Sequence, residues 1–183
     1  MAERVSQSQF AVLGLLSLGP MSGYDLKQLS AWSVGHFWRE GYGQIYPTLR
    51  QLEKQRLVTK RTQRQKGKPD RNVYSLTDAG RDHLKGWLAL PANPDVPRNE
   101  LLLKMFFSGL VPGVVSRGHL ETYKQCRKQD LHAYAEVRKR LEREQKNHPD
   151  KLFWEMTLSH GEHVARAQLA WCDQSLKKLK GRE

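Results

Sequence analysis

The chain has 183 residues, a formal net charge of +12, a pI near 9.9 and a mean hydropathy of −0.71, the size of one ordinary domain or two small ones. Five Trp, six Tyr and five Phe exclude the aromatic-poor composition of a disordered chain, and Cys126 and Cys172 are too few for a disulfide framework or a four-Cys zinc site. No apolar run approaches the roughly 20 residues that cross a bilayer, and the polar stretch Met1–Gln9 has no secretory signal character, so the expectation is a soluble, cytoplasmic, basic protein without a membrane partner.

Phe10–Leu18 reads as a buried helix stopped by Gly19-Pro20. Ser22 is the expected N-cap of a second helix, with Asp25 in its first turn, where the helix dipole favours an acid. That helix runs through Leu26 and Leu29 towards Val34, with Gly35 and Gly41-Tyr-Gly43 as breakers. A third helix fits Gln44–Arg56, because Ile45, Leu49 and Leu52 follow the i, i+4, i+7 spacing of one apolar face. Pro47 lies in its first turn, where a missing N–H does no harm. Two strand candidates follow, one from Leu57-Val58-Thr59 and one over Asn72–Leu76. The segment between them carries Gly67 and Pro69-Asp70, which is turn chemistry. Thr77 is the expected cap of a helix through Leu84 to Leu88. Three helices, a basic hairpin and a further helix make a winged helix-turn-helix with a two-stranded wing.

Pro91, Pro94 and Pro97 fall within seven residues and forbid a continuous helix. The expected organisation is therefore a DNA-binding domain over 1–90, a Pro-rich linker over 91–99 and a helical domain over 100–183. In the last of these, Glu100–Leu110 is strongly apolar and ends at Val111-Pro-Gly113. A long helix from Val114 to about Gln145 places Leu120, Tyr134 and Leu141 on one heptad-like seam, beside Tyr123 and Val137. Asn147–Asp150 turns the chain. The last helix, Lys151–Leu179, carries Leu152, Phe153, Met156, Val164, Ala167, Trp171 and Leu179 on a broad stripe. The two long helices form an antiparallel hairpin. A second copy of the chain is the economical cover for its apolar stripe.

The basic charge is densest over Arg50–Arg71, with nine basic residues against Glu53 and Asp70. With Ile45, Leu49 and Leu52 inward, Gln44, Tyr46, Thr48, Arg50, Gln51 and Lys54 occupy the flanks and outer face of the third helix. Gln and Arg form bidentate contacts to adenine and guanine edges, and Thr and Tyr suit phosphate or a thymine methyl. Arg64, Lys66, Lys68 and Arg71 on the hairpin suit phosphates or a minor groove. The expected partner is double-stranded DNA.

Tyr46-Pro-Thr-Leu-Arg-Gln-Leu-Glu53, Gly67-Lys-Pro-Asp-Arg71 and Val73-Tyr-Ser-Leu-Thr-Asp-Ala-Gly80 resemble the signature stretches of PadR-family transcriptional regulators. Leu13-Gly-Leu-Leu16 and Ser22-Gly-Tyr24 fit the first two helices of that family. The resemblance covers about residues 8–90, and the helical region beyond resembles the larger, AphA-like subgroup. It implies a homodimeric winged-helix DNA binder whose C-terminal helices form the dimerisation arm. It also implies that Gln44 to Lys54 map to the recognition helix and Lys66, Lys68 and Arg71 to the wing. Lys68 stands where the family frequently has arginine. Some members respond to phenolic or drug-like aromatics.

The remaining constellations are weaker. Trp154 and Trp171 are candidates to line an aromatic effector pocket between subunits, although such a stripe is more often packing. His160-Gly-Glu-His163 has neither order of the zinc-protease motif, and Gly161 weakens its helix, so no metal is expected. Redox sensing by Cys126 and Cys172 has only nearby basic residues in its favour. No phosphate loop and no triad arrangement stands out, so neither enzymatic activity nor a cofactor is expected. The full expectation is a homodimer on an inverted-repeat operator, with two recognition helices about 34 Å apart. The rivals are a non-specific architectural nucleic-acid binder and a winged-helix protein-interaction module.

Overall fold

The computed structural model describes residues 7–38, 44–64, 70–94 and 98–180. The chain divides into two compact units, Met1–Pro94 and Asp95–Glu183.

The first unit opens with α1 (Gln7–Ser17). Phe10, Val12, Leu13, Leu15 and Leu16 are all buried, as an apolar run with no polar face requires. The chain leaves α1 through Gly19, whose φ of 145° needs a residue without a Cβ. Met21–Ser22 then form a two-residue strand, β1. Ser22 also caps α2 (Gly23–Trp32) in a full capping box: its hydroxyl accepts from the Asp25 amide, and the Asp25 carboxylate accepts from the Ser22 amide. Where a helix running towards Val34 was expected, α2 ends at Trp32 and a 3₁₀ turn covers Val34–His36. Gly41-Tyr-Gly43 lies outside the described residues.

The third helix, α3, spans Ile45–Lys54, shorter at both ends than the expected Gln44–Arg56. Its C-terminus is a Schellman motif. The Arg56 amide donates to the Glu53 carbonyl and the Leu57 amide to the Leu52 carbonyl, each at 3.0 Å. This places Arg56 at φ 59°, a left-handed position usually taken by glycine. An Arg56→Gly substitution is expected to stabilise the unit by about 0.5–1 kcal/mol, read from a denaturant midpoint, because the left-handed backbone penalises a Cβ.

Strands β2 (Val58–Gln63) and β3 (Arg71–Leu76) pair antiparallel from Val58–Leu76 to Gln63–Arg71. β1 adds to the far edge of β3, with Met21 opposite Tyr74 and Ser22 opposite Val73. The wing is therefore part of a three-stranded sheet in the order β1-β3-β2. Thr77 caps α4 (Asp78–Leu88) by accepting from the Gly80 amide. Its hydroxyl also donates to the Leu57 carbonyl at 2.9 Å, tying α4 to the end of α3. Leu26, Leu49, Leu52, Val58, Tyr74 and Leu84 complete one core around α1.

In the second unit, Asn99 caps α5 (Glu100–Phe106), and a 3₁₀ turn at Ser108–Leu110 replaces the rest of the expected helix. None of the α5 side chains is buried, and Phe106 is 82% exposed. α6 (Gly113–Glu144) and α7 (Lys151–Lys178) then pack as an antiparallel hairpin. The α6 seam is the expected one, with Leu120, Tyr134 and Leu141 buried. The α7 seam is not. Leu158, Ala165 and Cys172 face α6, whereas Leu152, Phe153, Met156 and Val164 of the expected stripe lie exposed on another face. Gly161 does more than weaken its helix. A Cβ there would stand 2.9 Å from Cζ of Tyr134, so the glycine provides the space for that ring. Arg138 grips Glu162 through two guanidinium nitrogens at 3.0 and 3.1 Å, and Lys124 pairs with Asp173.

Candidate nucleic-acid interface

On α3, Leu49 and Leu52 are fully buried and Ile45 is packed against the core. The outer face carries Arg50, Gln51 and Lys54, all exposed, with Gln44 at the N-cap. These are the expected residues in the expected orientation. Thr48 is a correction. At 6% exposed it lies in the core; at about 100° per residue it stands roughly 40° from Leu52, on the flank of the arc set by Ile45, Leu49 and Leu52. The same arithmetic applied to the sequence gives that flank position and does not by itself bury it.

Tyr46 is exposed, but its ring also lies over the N-terminus of α2. A Cβ on Gly23 would meet its Cε1 at 2.6 Å. Gly23 therefore allows α2 and α3 to approach, and Tyr46 serves packing as well as surface. Beyond it, Tyr74 of β3 lies within electrostatic reach of Glu53, Arg50 and Tyr46. Burial, then the Glu53 carboxylate, pushes its phenol above the ordinary value.

Tyr74 shares the buried core with Leu49 and Leu52 of α3, and this determines which side of the wing adjoins α3. Directly opposed residues on paired strands share a face. Lys60 opposes Tyr74, and Thr62 opposes Asn72, with the Thr62 hydroxyl donating to Asn72 Oδ1 at 3.0 Å. Lys60 and the Thr62–Asn72 pair therefore lie on the face that meets the recognition-like helix. Arg61 points to the other face. Thr59 to Gln63 are all exposed, as is Arg64. Lys60 and Arg61 were counted in the basic cluster but not singled out as contacts. Strand alternation from Val58 would have found Lys60. Lys66 and Lys68, with Gly67 and Pro69, lie outside the described residues.

Arg71 also departs from its expected place among the phosphate-facing residues. Its guanidinium is half-buried and pairs with the Asp25 carboxylate. Burial alone would raise that carboxyl, but hydrogen bonds from the Ser22 amide, the Ser22 hydroxyl and Arg71 hold it below the ordinary carboxylate value. A lowered acid contributes stability above its unfolded value, lost only as the pH falls through the folded one. The pair is therefore fully formed at neutral pH.

In the second unit, Trp154 packs on the hairpin core with its ring 4.3 Å from that of His148, and Trp171 meets Tyr123 edge-on at 6.5 Å. Seventeen residues of one helix separate the two indoles, about 25 Å of rise, so a single protomer does not bring them into one site. His163 Nδ1 is 2.7 Å from the Ser159 carbonyl on its own helix. Cys172 is buried with its thiol pushed up, first by burial, and Cys126 is exposed. No group of three or more His, Cys, Asp or Glu that could hold a metal occurs among the described residues, and no helix among them is long and apolar enough to cross a membrane.

A tri-helical core, a sheet ending in a basic hairpin and a helix with core on one side and Arg50, Gln51 and Lys54 on the other define a winged helix-turn-helix. Residues 12–86 match the transcriptional regulator PadR-like family, and residues 97–180 match the virulence activator alpha C-terminal family. Together these matches support a PadR-family regulator with a C-terminal extension.

The negative transcriptional regulator PadR of Bacillus subtilis is 37% identical over 100 residues, covering 54% of this chain and 55% of that protein. The chain thus spans about half the length of the curated relative it matches. Over the whole fold, Bacillus subtilis PadR in complex with operator DNA superposes with a TM-score of 0.81 at 26% identity, covering 94% of this chain and 99% of that one. The same protein in complex with p-coumaric acid gives 0.74 at 25% identity, over 94% and 98% of the two chains. The Vibrio cholerae virulence activator AphA gives 0.73 at 25% identity, over 96% and 99%. The mainly α, winged-helix architecture expected from the sequence is the one shared with these structures.

Proposed function

We propose that this chain is a sequence-specific regulator that binds double-stranded DNA as a homodimer on an inverted-repeat operator in the cytoplasm. The observation that carries this reading is the outer face of α3. Arg50, Gln51 and Lys54 project from a helix whose opposite side is locked by Leu49 and Leu52, beside a β2 strand that exposes Lys60 and Arg61, with Arg64 exposed just after it. Side chains that read base edges must stand on a rigid element, while backbone contacts tolerate a mobile one. The operator complex of Bacillus subtilis PadR supports the same assignment.

The dimer follows from the second unit, where α5 buries nothing and one face of α7 keeps Leu152, Phe153, Met156 and Val164 exposed. Two heads carried by such an arm would reach successive major grooves on one side of the duplex. An aromatic effector is part of the proposal. Its support is the p-coumaric acid complex of the relative, and Trp154 and Trp171 would contribute only where two protomers meet.

Selection from a random duplex pool with the purified chain at physiological salt tests the reading. The expected winner is palindromic and bound about 10³-fold or more tighter than its scramble. Gln51→Ala is expected to relax preference at one position by about 1–3 kcal/mol, while Lys68→Ala weakens all duplexes alike and lowers the salt slope by about one. Failure to select a motif, with affinity that only tracks salt, would leave the architectural reading. Negligible DNA binding with intact self-association would leave the protein-interaction reading. Release of the selected duplex by p-coumaric acid tests the effector.

A further inference from the structure

Arg71 opens β3 at the last rung of the wing ladder, opposite Gln63, and its guanidinium turns back towards the helix-turn-helix. Its Nη2 donates to Oδ2 of Asp25 in the first turn of α2. The same oxygen accepts from the Ser22 amide and the Ser22 hydroxyl, each at 2.9 Å. Ser22 in turn is the strand residue paired with Val73 of β3. Arg71 Nε is shielded from solvent with no partner among the described residues, an orientation opposite to that of a side chain reaching out for phosphate.

We propose that Asp25 and Arg71 are positioning residues of the DNA interface, an ion-paired strap that holds the outer rung of the wing to the N-terminus of α2, and that Arg71 is not a phosphate contact. This rests on the DNA-binding reading above. A two-stranded ribbon is marginally stable by itself, and β1 braces only Val73 and Tyr74 of β3. Nearer the tip, the Arg71–Asp25 pair is the remaining brace among the described residues. A half-exposed ion pair adds little to stability, so its effect lies in the angle at which the wing leaves the domain. A small rotation at the base displaces the outer rung by more, and the strap holds that rung.

Charge gives the test its sign. Asp25→Asn raises the net charge by one, Arg71→Gln lowers it by one, and the double variant leaves it unchanged. Affinity is read at several salt concentrations on the duplex selected by the wild type and on its scramble. The strap predicts that all three variants lose about five-fold or more on the selected duplex, the size of one lost base contact. It predicts that the double variant is no worse than the weaker single one, with its binding to the scramble and its salt slope unchanged.

If affinity instead follows charge, so that Asp25→Asn binds tighter, the double variant matches the wild type and Arg71→Gln loses equally on both duplexes with a slope lower by about one, Arg71 is a phosphate contact and the strap is wrong. Arg71→Gln leaves the capping box intact, so its salt slope decides the matter should Asp25→Asn fail to fold. Absence of any selected duplex for the wild type would overturn the DNA-binding reading, a distinct result.

Discussion

Replacing Gly80 with alanine is expected to destabilise the winged-helix unit by about 3 kcal/mol or more, read as a fall in the denaturation midpoint, because the added methyl overpacks against backbone. Gly80 sits in the first turn of α4, where its amide donates to the Thr77 hydroxyl at 3.0 Å. By helix propensity alone the substitution should stabilise by about 1 kcal/mol. The surroundings reverse the sign. A Cβ would stand 2.1 Å from the Leu57 carbonyl oxygen and 2.9 Å from Cδ1 of Leu76. The Leu57 carbonyl cannot simply retreat, since it accepts from both the amide and the hydroxyl of Thr77. Displacing it breaks the junction that holds α4, the wing and the end of α3 together. An unchanged or raised midpoint would show that α4 does not lie this close to Leu57.

The second large effect concerns assembly. Phe153→Glu together with Met156→Glu is expected to convert a dimer at low micromolar concentration into a monomer, measured by sedimentation. Both side chains are exposed on α7, at 62% and 60%. Within one protomer, surface substitutions of this kind change stability by no more than about 0.5 kcal/mol, so helical content by circular dichroism should not move. In an interface the same change buries two carboxylates without partners. Affinity for the selected duplex should then fall by about 10²-fold or more as the second head loses its tether. A variant that remains dimeric and binds normally would remove this stripe from the interface.

What the sequence made legible was local. The apolar rhythm of Ile45, Leu49 and Leu52, the Ser22 N-cap with Asp25 in the first turn, the Thr77 cap and the α6 seam are each contained within a few turns of helix, and each is present. What escaped depends on partners far along the chain. β1 is two residues long and exists because Tyr74 and Val73 accept it as a neighbour. The left-handed turn at Arg56 carries no glycine to announce it. Arg71 looked like one more basic wing residue because Asp25 lies 46 positions away. On α7 two faces are apolar, and periodicity alone does not say which of them meets α6. Small residues, Gly161, Ala165 and Cys172, mark the packed side, where close approach outweighs bulk.

The socket that Gly161 makes for Tyr134 acts as a keyway. A hairpin held only by repeating apolar positions is free to settle one heptad out of step. In this one, such a slip would bring Tyr134 against Trp154 or Gln168, seven positions to either side of the glycine, and neither leaves room for a ring. The arm thus has one permitted length. A signal arriving at one end of it must travel as rotation or bending of the whole lever, because sliding is closed to it.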